Sequence, residues 1–428
     1  MNQMKPIIVL DDDPTGTQTV HHVPVLTEWG REIIDKELQS GTPLFYILTN
    51  SRALIEKEAV QLAEELGANI KNCHKDCYLI SRSDSTLRGH FPIEVQALAQ
   101  KIFDTDNYLI VLAPAFFEGN RVTKEDTHFI QEGENFVPVA STPYADDKTF
   151  GYRSSNLREW VVEKSKGTIT ADEIDSVSIE DLEKGTAEMI LQKIEHTSKV
   201  LILNALELRH FESFVGVLSK SDRKIIFRTG ASFVPVLGQI SPQKLLEKED
   251  FRAHKEESGG LIIVGSHVPQ TTKQLGELFK TDISRMEFEV EKYLLQGQAY
   301  LNETLEKLKN ILHSGEDLVL YTSRKLISKG TENESLMLSV KVSEGLIYLV
   351  KNLEKRPSFL MAKGGITSSD VATKGLGIKR AMVMGQILPG VPVWQADEQS
   401  RFPDLTFVVF PGNVGDDFGL LNAYQKLR

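Results

Sequence analysis

Short apolar runs alternate with longer helix-period segments along almost all of the 428 residues, and that rhythm leaves few folds open. A brief, uniformly apolar run bounded by polar residues reads as a strand buried on both faces, which requires a parallel sheet covered by helices on either side. In the first half the strand candidates are Ile7–Leu10, Leu44–Leu48, Tyr78–Ser81, Leu109–Ala113, Val200–Asn204 and Ile225–Phe227. Helical stretches separate them at Lys57–Leu66, Pro92–Ile102, Ile179–Ile194 and Leu208–Lys220. The region from Phe116 to Asp175 is less regular, with a strand-like piece at Phe136–Ala140, and reads as an insertion or lid.

The rhythm breaks at a charged stretch with a proline, Ser241 to Asp250, followed by Glu256-Glu257-Ser258-Gly259-Gly260. It restarts with Leu261–Val264, Met286–Val290, Leu318–Tyr321, Phe359–Ala362, Ala381–Met384 and Phe407–Phe410, with helices such as Ala299–Leu312 and Glu334–Lys351 between them. The expectation is an α/β protein of two domains with mostly parallel sheets, residues 1–245 and 258–428, with an active site in the cleft between them. No repeat or low-complexity tract interrupts this plan.

Charge narrows the partners. A net charge of −11 leaves no basic stripe from which nucleic acid would release counterions. No apolar stretch approaches bilayer length, so no membrane partner is expected. The opening Met1 to Lys5 runs directly into a strand-like segment without room for a signal peptide, so the expected compartment is cytoplasmic. The two cysteines, Cys73 and Cys77, lack a second Cys/His pair and fit reduced thiols better than a four-ligand zinc site.

The densest chemistry is Ser81-Arg82-Ser83-Asp84-Ser85-Thr86-Leu87-Arg88-Gly89-His90, released directly after an apolar run. Loops at strand ends carry chemistry on a rigid scaffold, and arginine pairs bidentately with carboxylate or phosphate. Asp84 or Ser85 as a plain helix cap is the simpler alternative, but it leaves two arginines and Gly89 unexplained. The first strand likewise ends in Asp11-Asp12-Asp13-Pro14-Thr15-Gly16, at the edge where open α/β sheets bind ligands. Thr49-Asn50-Ser51-Arg52 and Ala113 to Arg121 end two further strands in the same way. Such residues can hold a polyol or a metal-bound phosphate, bind Mg²⁺ through water, or remove a proton from an attacking hydroxyl. Asp12, Arg52, Arg82, Ser83, Asp84 and Ser85 are the candidates for holding a substrate, and Asp13 or Asp84 for accepting a proton.

In the second half, strands lead into Gly265-Ser266-His267, Thr322-Ser323-Arg324, Lys363-Gly364-Gly365-Ile366-Thr367-Ser368 and Pro411-Gly412-Asn413-Val414-Gly415. Glycines let backbone N–H groups approach phosphates closely. Ser266, Gly364, Gly365, Thr367, Gly412, Asn413, Val414 and Gly415 are therefore the candidate nucleotide-binding set. No Gly-x4-Gly-Lys-Ser/Thr motif is present, which excludes a P-loop, and no Gly-x-Gly-x-x-Gly follows the first strand. A competing pattern is Asp11-x-Asp13-x-Thr15, the opening of haloacid-dehalogenase phosphatases, with Asp11 as nucleophile and Asp13 as acid. A third option is a non-catalytic sensor of acid sugar and nucleotide.

Together these motifs resemble the four-carbon acid sugar kinase family. Asp12-Asp13-Pro14-Thr15-Gly16, Thr49 to Arg52, Asp84 to Gly89 and Gly364 to Ser368 carry the resemblance. It implies ATP- and Mg²⁺-dependent phosphorylation of a hydroxyl on a threonate-, erythronate- or oxo-tetronate-like acid sugar, by a sugar-acid domain and a nucleotide domain. The metal ligands stay unassigned, and pairing of two copies as a homodimer stays open. Arg82 stands where many members carry lysine, and Ile366 where many carry an acid.

Overall fold

In the computed structural model, residues 5–254, 258–324 and 332–428 are described. Met1–Met4 and Glu256–Glu257, on which part of the reading above falls, lie outside them. The chain forms two compact units that divide between Pro242 and Gln243. Both are α/β, built on large and mostly parallel sheets.

The strands of the first unit are β1 (Ile7–Asp11), β2 (Val23–Leu26), β3 (Leu44–Leu48), β4 (Tyr78–Arg82), β5 (Leu109–Ala113), β6 (Arg121–Lys124), β7 (Thr127–Glu132), β8 (Asn135–Pro138), β9 (Ile174–Val177), β10 (Val200–Leu203) and β11 (Ile225–Thr229). Among the described residues, its main sheet runs β2-β3-β1-β4-β11-β5-β10-β9, every neighbour parallel. Ile7, Ile8 and Val9 of β1 are fully buried, as a strand covered on both faces must be. The helix Leu208–Leu218 shows the matching pattern: His210, Phe211, Phe214, Val217 and Leu218 are buried at helical spacing. Each such apolar side chain removed from water contributes about 1.5–3 kcal/mol.

The insertion between β5 and β9 holds the antiparallel sheet β6-β7-β8. Where one helix was expected over Ile179–Ile194 there are two, Ile179–Lys184 and Ala187–His196. Gly185 stops the first, and the Thr186 hydroxyl caps the second by accepting from the Met189 N–H.

The second unit contains β12 (Leu261–Val264), β13 (Ser284–Phe288), β14 (Leu318–Thr322), β15 (Leu360–Lys363), β16 (Arg380–Leu388), β17 (Val391–Ala396) and β18 (Thr406–Phe410). Its order is β13-β14-β12-β15-β18-β17-β16; the first five strands are parallel, and β17 and β16 continue antiparallel. Part of the charged stretch at which the rhythm breaks is docked on this unit. Leu246 N–H donates to Gln386 O at 2.7 Å, and Lys426 Nζ donates to Leu246 O at 3.1 Å. Among the described residues, no helix is long and apolar enough to cross a membrane.

Candidate functional site

Parallel register brings the polar strand ends of the first unit together. Asp11 sits opposite Leu48 on one side and Arg82 on the other, and Arg228 of β11 lies beside Ser81. The turn after β1 is built by its own sequence. Asp13 caps it, its carboxylate accepting from Thr15 N–H at 2.8 Å, and Pro14 takes the first helical position. Gly16 follows because a Cβ there would overlap the Asp11 carboxylate. Asp11 is thus sealed beneath the turn, 1% exposed, with Oδ1 taking Arg82 Nη1 at 3.2 Å and Asp13 N–H at 3.3 Å. Burial pushes its carboxyl up to about 7 against the pull of Arg82, and Asp12 and Asp13 add to the rise.

Asp12 is the hub. It accepts from Arg52 Nη2 at 2.7 Å and Nε at 3.3 Å, and from Ser83 Oγ at 2.7 Å. Burial would raise its pKa, but the Arg52 charge and hydrogen bonds, with Arg228 and Arg82 behind, hold it below the ordinary value. Arg52 reaches it because Thr49 wraps the end of β1: its N–H and its hydroxyl both donate to Asp11 O, at 2.9 and 2.8 Å. The same guanidinium lies 3.7 Å from Asp13 Oδ2.

The Asp84–Gly89 loop closes over this hub. Asp84 accepts from Thr86 Oγ1 and from Arg88 Nε, the latter at 2.7 Å. Burial would raise the Asp84 carboxyl; Arg52 and Arg88 instead hold it well below the usual carboxylate range. Gly89 has φ of +127°, and a Cβ there would stand 2.8 Å from both Arg228 Nη2 and Ser83 Oγ, so a side chain would prise the loop off. From the insertion, His128 Nε2 pairs with Ser85 O at 2.8 Å while its Nδ1 pairs with Thr123 Oγ1 at 2.9 Å. Tyr152 Oη donates to Thr86 O at 2.7 Å. Burial pushes His128 down to about 4, so it stays neutral at ordinary pH.

The structure therefore gathers Asp12, Asp13, Arg52, Arg82, Ser83 and Asp84 into one network and holds Ser85 by its backbone. It also adds residues that sequence reasoning missed. Arg228 donates to Ser81 Oγ and Ser83 Oγ, both at 2.7 Å, and pairs with Glu94 at 3.3 Å. Its one sequence signal is a guanidinium at the end of an otherwise apolar run. Arg82 is 4% exposed and paired with Asp11 in the interior.

In the second unit, Ser266, Gly364, Gly365, Thr367, Gly412 and Asn413 line one pocket of about 470 Å³. Val414 and Gly415 lie off its wall; their carbonyls turn to Gln274 Nε2 at 3.0 Å and Gln270 Nε2 at 3.2 Å. Gly265, His267 and Val268 join this rim, and apolar Val290, Leu338, Val342, Leu346 and Ile366 form the rest of the lining with Ser323, Ser339 and Ser343. Gly265 permits the close approach of Thr367, and Arg324 Nη1 steadies Ser266 O at 2.6 Å. A neutral rim of glycines and hydroxyls beside an apolar wall suits a phosphate-bearing ring compound.

One further cluster, Glu183, Glu207 and His210, has metal-like spacing among the described residues. His210 Nδ1 accepts from Leu206 N–H, which leaves Nε2 as the protonated nitrogen facing Glu183, and Arg209 pairs with both glutamates. That tautomer offers no lone pair to a cation.

Comparison with known proteins agrees with this division. Residues 7–237 match a family model described as a sugar-binding N-terminal domain, and residues 261–420 one described as a nucleotide-binding C-terminal domain. No curated protein matches the chain. Among solved structures, Haemophilus influenzae protein HI1011 of family DUF1537 is similar at 16% identity with a TM-score of 0.68, covering 98% of this chain and 100% of that one. A Salmonella typhimurium LT2 protein named as a candidate tRNA synthase is similar at 17% identity with a TM-score of 0.72, covering 99% and 100%. At these identities the likeness speaks to fold. The two family models together span most of the sequence, and on that ground the chain belongs to the four-carbon acid sugar kinase family, DUF1537.

Proposed function

We propose that this protein is an ATP-dependent kinase that phosphorylates a hydroxyl of a small acid sugar. The observation that carries the reading is a matched pair of sites. A carboxylate–arginine network stands at the strand ends of the sugar-binding unit, and a neutral glycine-rimmed pocket of about 470 Å³ stands in the nucleotide-binding unit. Phosphoryl transfer needs little covalent chemistry from the protein, chiefly positioning and charge stabilisation.

Arg52 is the guanidinium for the substrate carboxylate, since its side chain is 19% exposed while Arg82 is sealed. Of the two candidate bases Asp13 is favoured: among the described residues its hydrogen bonds fall on Oδ1, and its side chain is 23% exposed. Asp84 is bound by Arg88 and Thr86 and held strongly anionic, which makes it a poor proton acceptor. Magnesium would arrive on the nucleotide's phosphates. The rim of the second-unit pocket is neutral and fits phosphate oxygens rather than a resident cation, so no step is assigned to the metal.

The phosphatase reading would need Asp11 to attack a phosphoester, and its burial beneath Gly16 weighs against that. A coupled ADP-release assay over a panel of four-carbon acid sugars tests the proposal. Acid-sugar-dependent ADP release is expected. Phosphate release from sugar phosphates without nucleotide, or binding of both ligands with no turnover, would refute it.

A further inference from the structure

The loop that follows β18 has its carbonyl oxygens tied down by side chains. Pro411 O and Gly412 O accept from Lys363 Nζ at 3.0 and 3.3 Å, and Gly412 O also from Thr271 Oγ1 at 3.2 Å. Further along, Gln274 Nε2 holds Val414 O and Asp416 O, and Gln270 Nε2 holds Gly415 O. In a planar trans peptide the C=O and the next N–H point opposite ways. Fixing the 411 and 412 carbonyls toward Lys363 therefore turns the Gly412 and Asn413 N–H groups away from it. No hydrogen bond among the described residues uses either N–H, and both residues line the nucleotide-sized pocket. Successive free amides of this kind make an anion-binding concavity.

Lys363 is unusual in its own right. It is fully buried at the end of β15, between Val264 of β12 and Phe410 of β18, both apolar. Its Nζ lies 3.9 Å from the centre of the Phe410 ring, and its described polar contacts are the two carbonyls. Among the described residues no charged side chain from the neighbouring elements acts on it; burial pushes its pKa down to about 7. A buried ammonium without a counter-ion is costly and gains from any anion placed close by.

We infer that Lys363 shapes the 411–413 loop into an anion cradle and becomes, when a nucleotide's phosphates bind there, the buried cation whose charge they neutralise. It is a positioning residue that works through the loop, and the inference rests on the nucleotide reading of the second unit. An anion in the cradle favours the charged ammonium, so Lys363 takes a proton from the buffer when phosphates bind.

Calorimetry on the full chain with ADP, at about pH 8 in two buffers of unlike ionisation enthalpy, reads that proton directly. The wild type is expected to take up most of one proton per ADP bound, and adenosine to cause no uptake. Lys363→Met should abolish the uptake and weaken ADP binding by about tenfold or more. Lys363→Arg keeps a charge that does not titrate, so it should restore affinity without uptake. ADP binding with no uptake in the wild type overturns the inference, and so does equal uptake with adenosine. Affinity in Lys363→Met within about threefold of the wild type also overturns it. If the methionine variant does not fold, the wild-type uptake decides alone. Failure of the wild type to bind any adenine nucleotide would instead sink the nucleotide reading, and this inference with it.

Discussion

Arg228→Leu tests the architecture of the sugar-binding site independently of any substrate. Arg228 is buried, pairs with Glu94 at 3.3 Å and donates to Ser81 Oγ and Ser83 Oγ at 2.7 Å each. Leucine fills much of the volume but leaves the partly buried Glu94 carboxylate with Ser51 Oγ as its remaining described partner. Breaking a buried pair by removing one member costs about 3–5 kcal/mol. For a unit of this size each kcal/mol lowers the melting temperature by about 2–4 °C, so the expected fall is about 6–20 °C. Scanning calorimetry measures it, and a cycle with Glu94→Gln isolates the pair. The glutamine removes the stranded charge, so it should cost less in the leucine background than in the wild type, with a coupling of about 0.5–3 kcal/mol. A loss under about 1 kcal/mol for Arg228→Leu, or additivity of the two changes within about 0.5 kcal/mol, would refute the network as drawn.

Asp11 carries a pH dependence. Its carboxyl lies at about 7 in the folded chain against an ordinary 3.8, so the folded state holds the proton more tightly. The stability from this group is present below about pH 4 and is lost as pH rises toward 7, at up to about 1.4 kcal/mol per pH unit. Asp11→Asn should remove that slope in denaturant titrations, and an unchanged slope would refute the assignment. Arg52→Ala should raise the KM for the acid sugar by about 30-fold or more while leaving the KM for ATP within about twofold; equal changes in both would count against Arg52 as the carboxylate-holding residue. Gly364 has φ of +118° and an added Cβ would stand 3.3 Å from Ser266 Cβ. Gly364→Ala should therefore cost about 1–3 kcal/mol of local strain and weaken ADP binding about tenfold, with acid-sugar binding retained. Unaltered ADP affinity in calorimetry would move the nucleotide elsewhere.

What was legible in the sequence follows from what burial demands. β1, β3 and β5 are covered on both faces, so their runs are uniformly apolar and readable. β2, β9 and β17 are hard to read for different reasons: β2 and β17 contain prolines, and in the outermost β9 Asp175 and Ser176 separate Ile174 from Val177. Local motifs were equally plain. Asp13 capping the turn, Pro14 starting it and Gly16 giving way to Asp11 are all sequence neighbours. Arg228 and His128 are not; only the strand order and the insertion bring them against Ser83 and Ser85, and Arg228 against Glu94. Lys363 stood in plain view beside Gly364, but its use depends on the loop after β18, which pairing with β15 places beside it.

The arginines look in sequence like hands extended to an anionic ligand, and the fold gives most of them other work. Asp11 takes Arg82, Asp12 takes Arg52, Asp84 takes Arg88 and Glu94 takes Arg228. Asp13 is left over and Arg88 is shared with Asp147 at 3.6 Å, so these carboxylates outnumber the guanidiniums before any ligand arrives. A substrate carboxylate makes that imbalance worse in a setting where stray charge is expensive. Binding an acid sugar must then either redirect one arginine or bring in positive charge or a proton. Arg82 and Arg228 are sealed and Arg88 is held by both Asp84 and Asp147, which leaves Arg52 as the guanidinium best placed to turn, already 3.7 Å from Asp13. Asp11, raised to about 7, is the acid best placed to hold a compensating proton. On this reading the buried pairs set the shape of the site, and the choice of an anionic substrate falls to Arg52 and the proton beneath it.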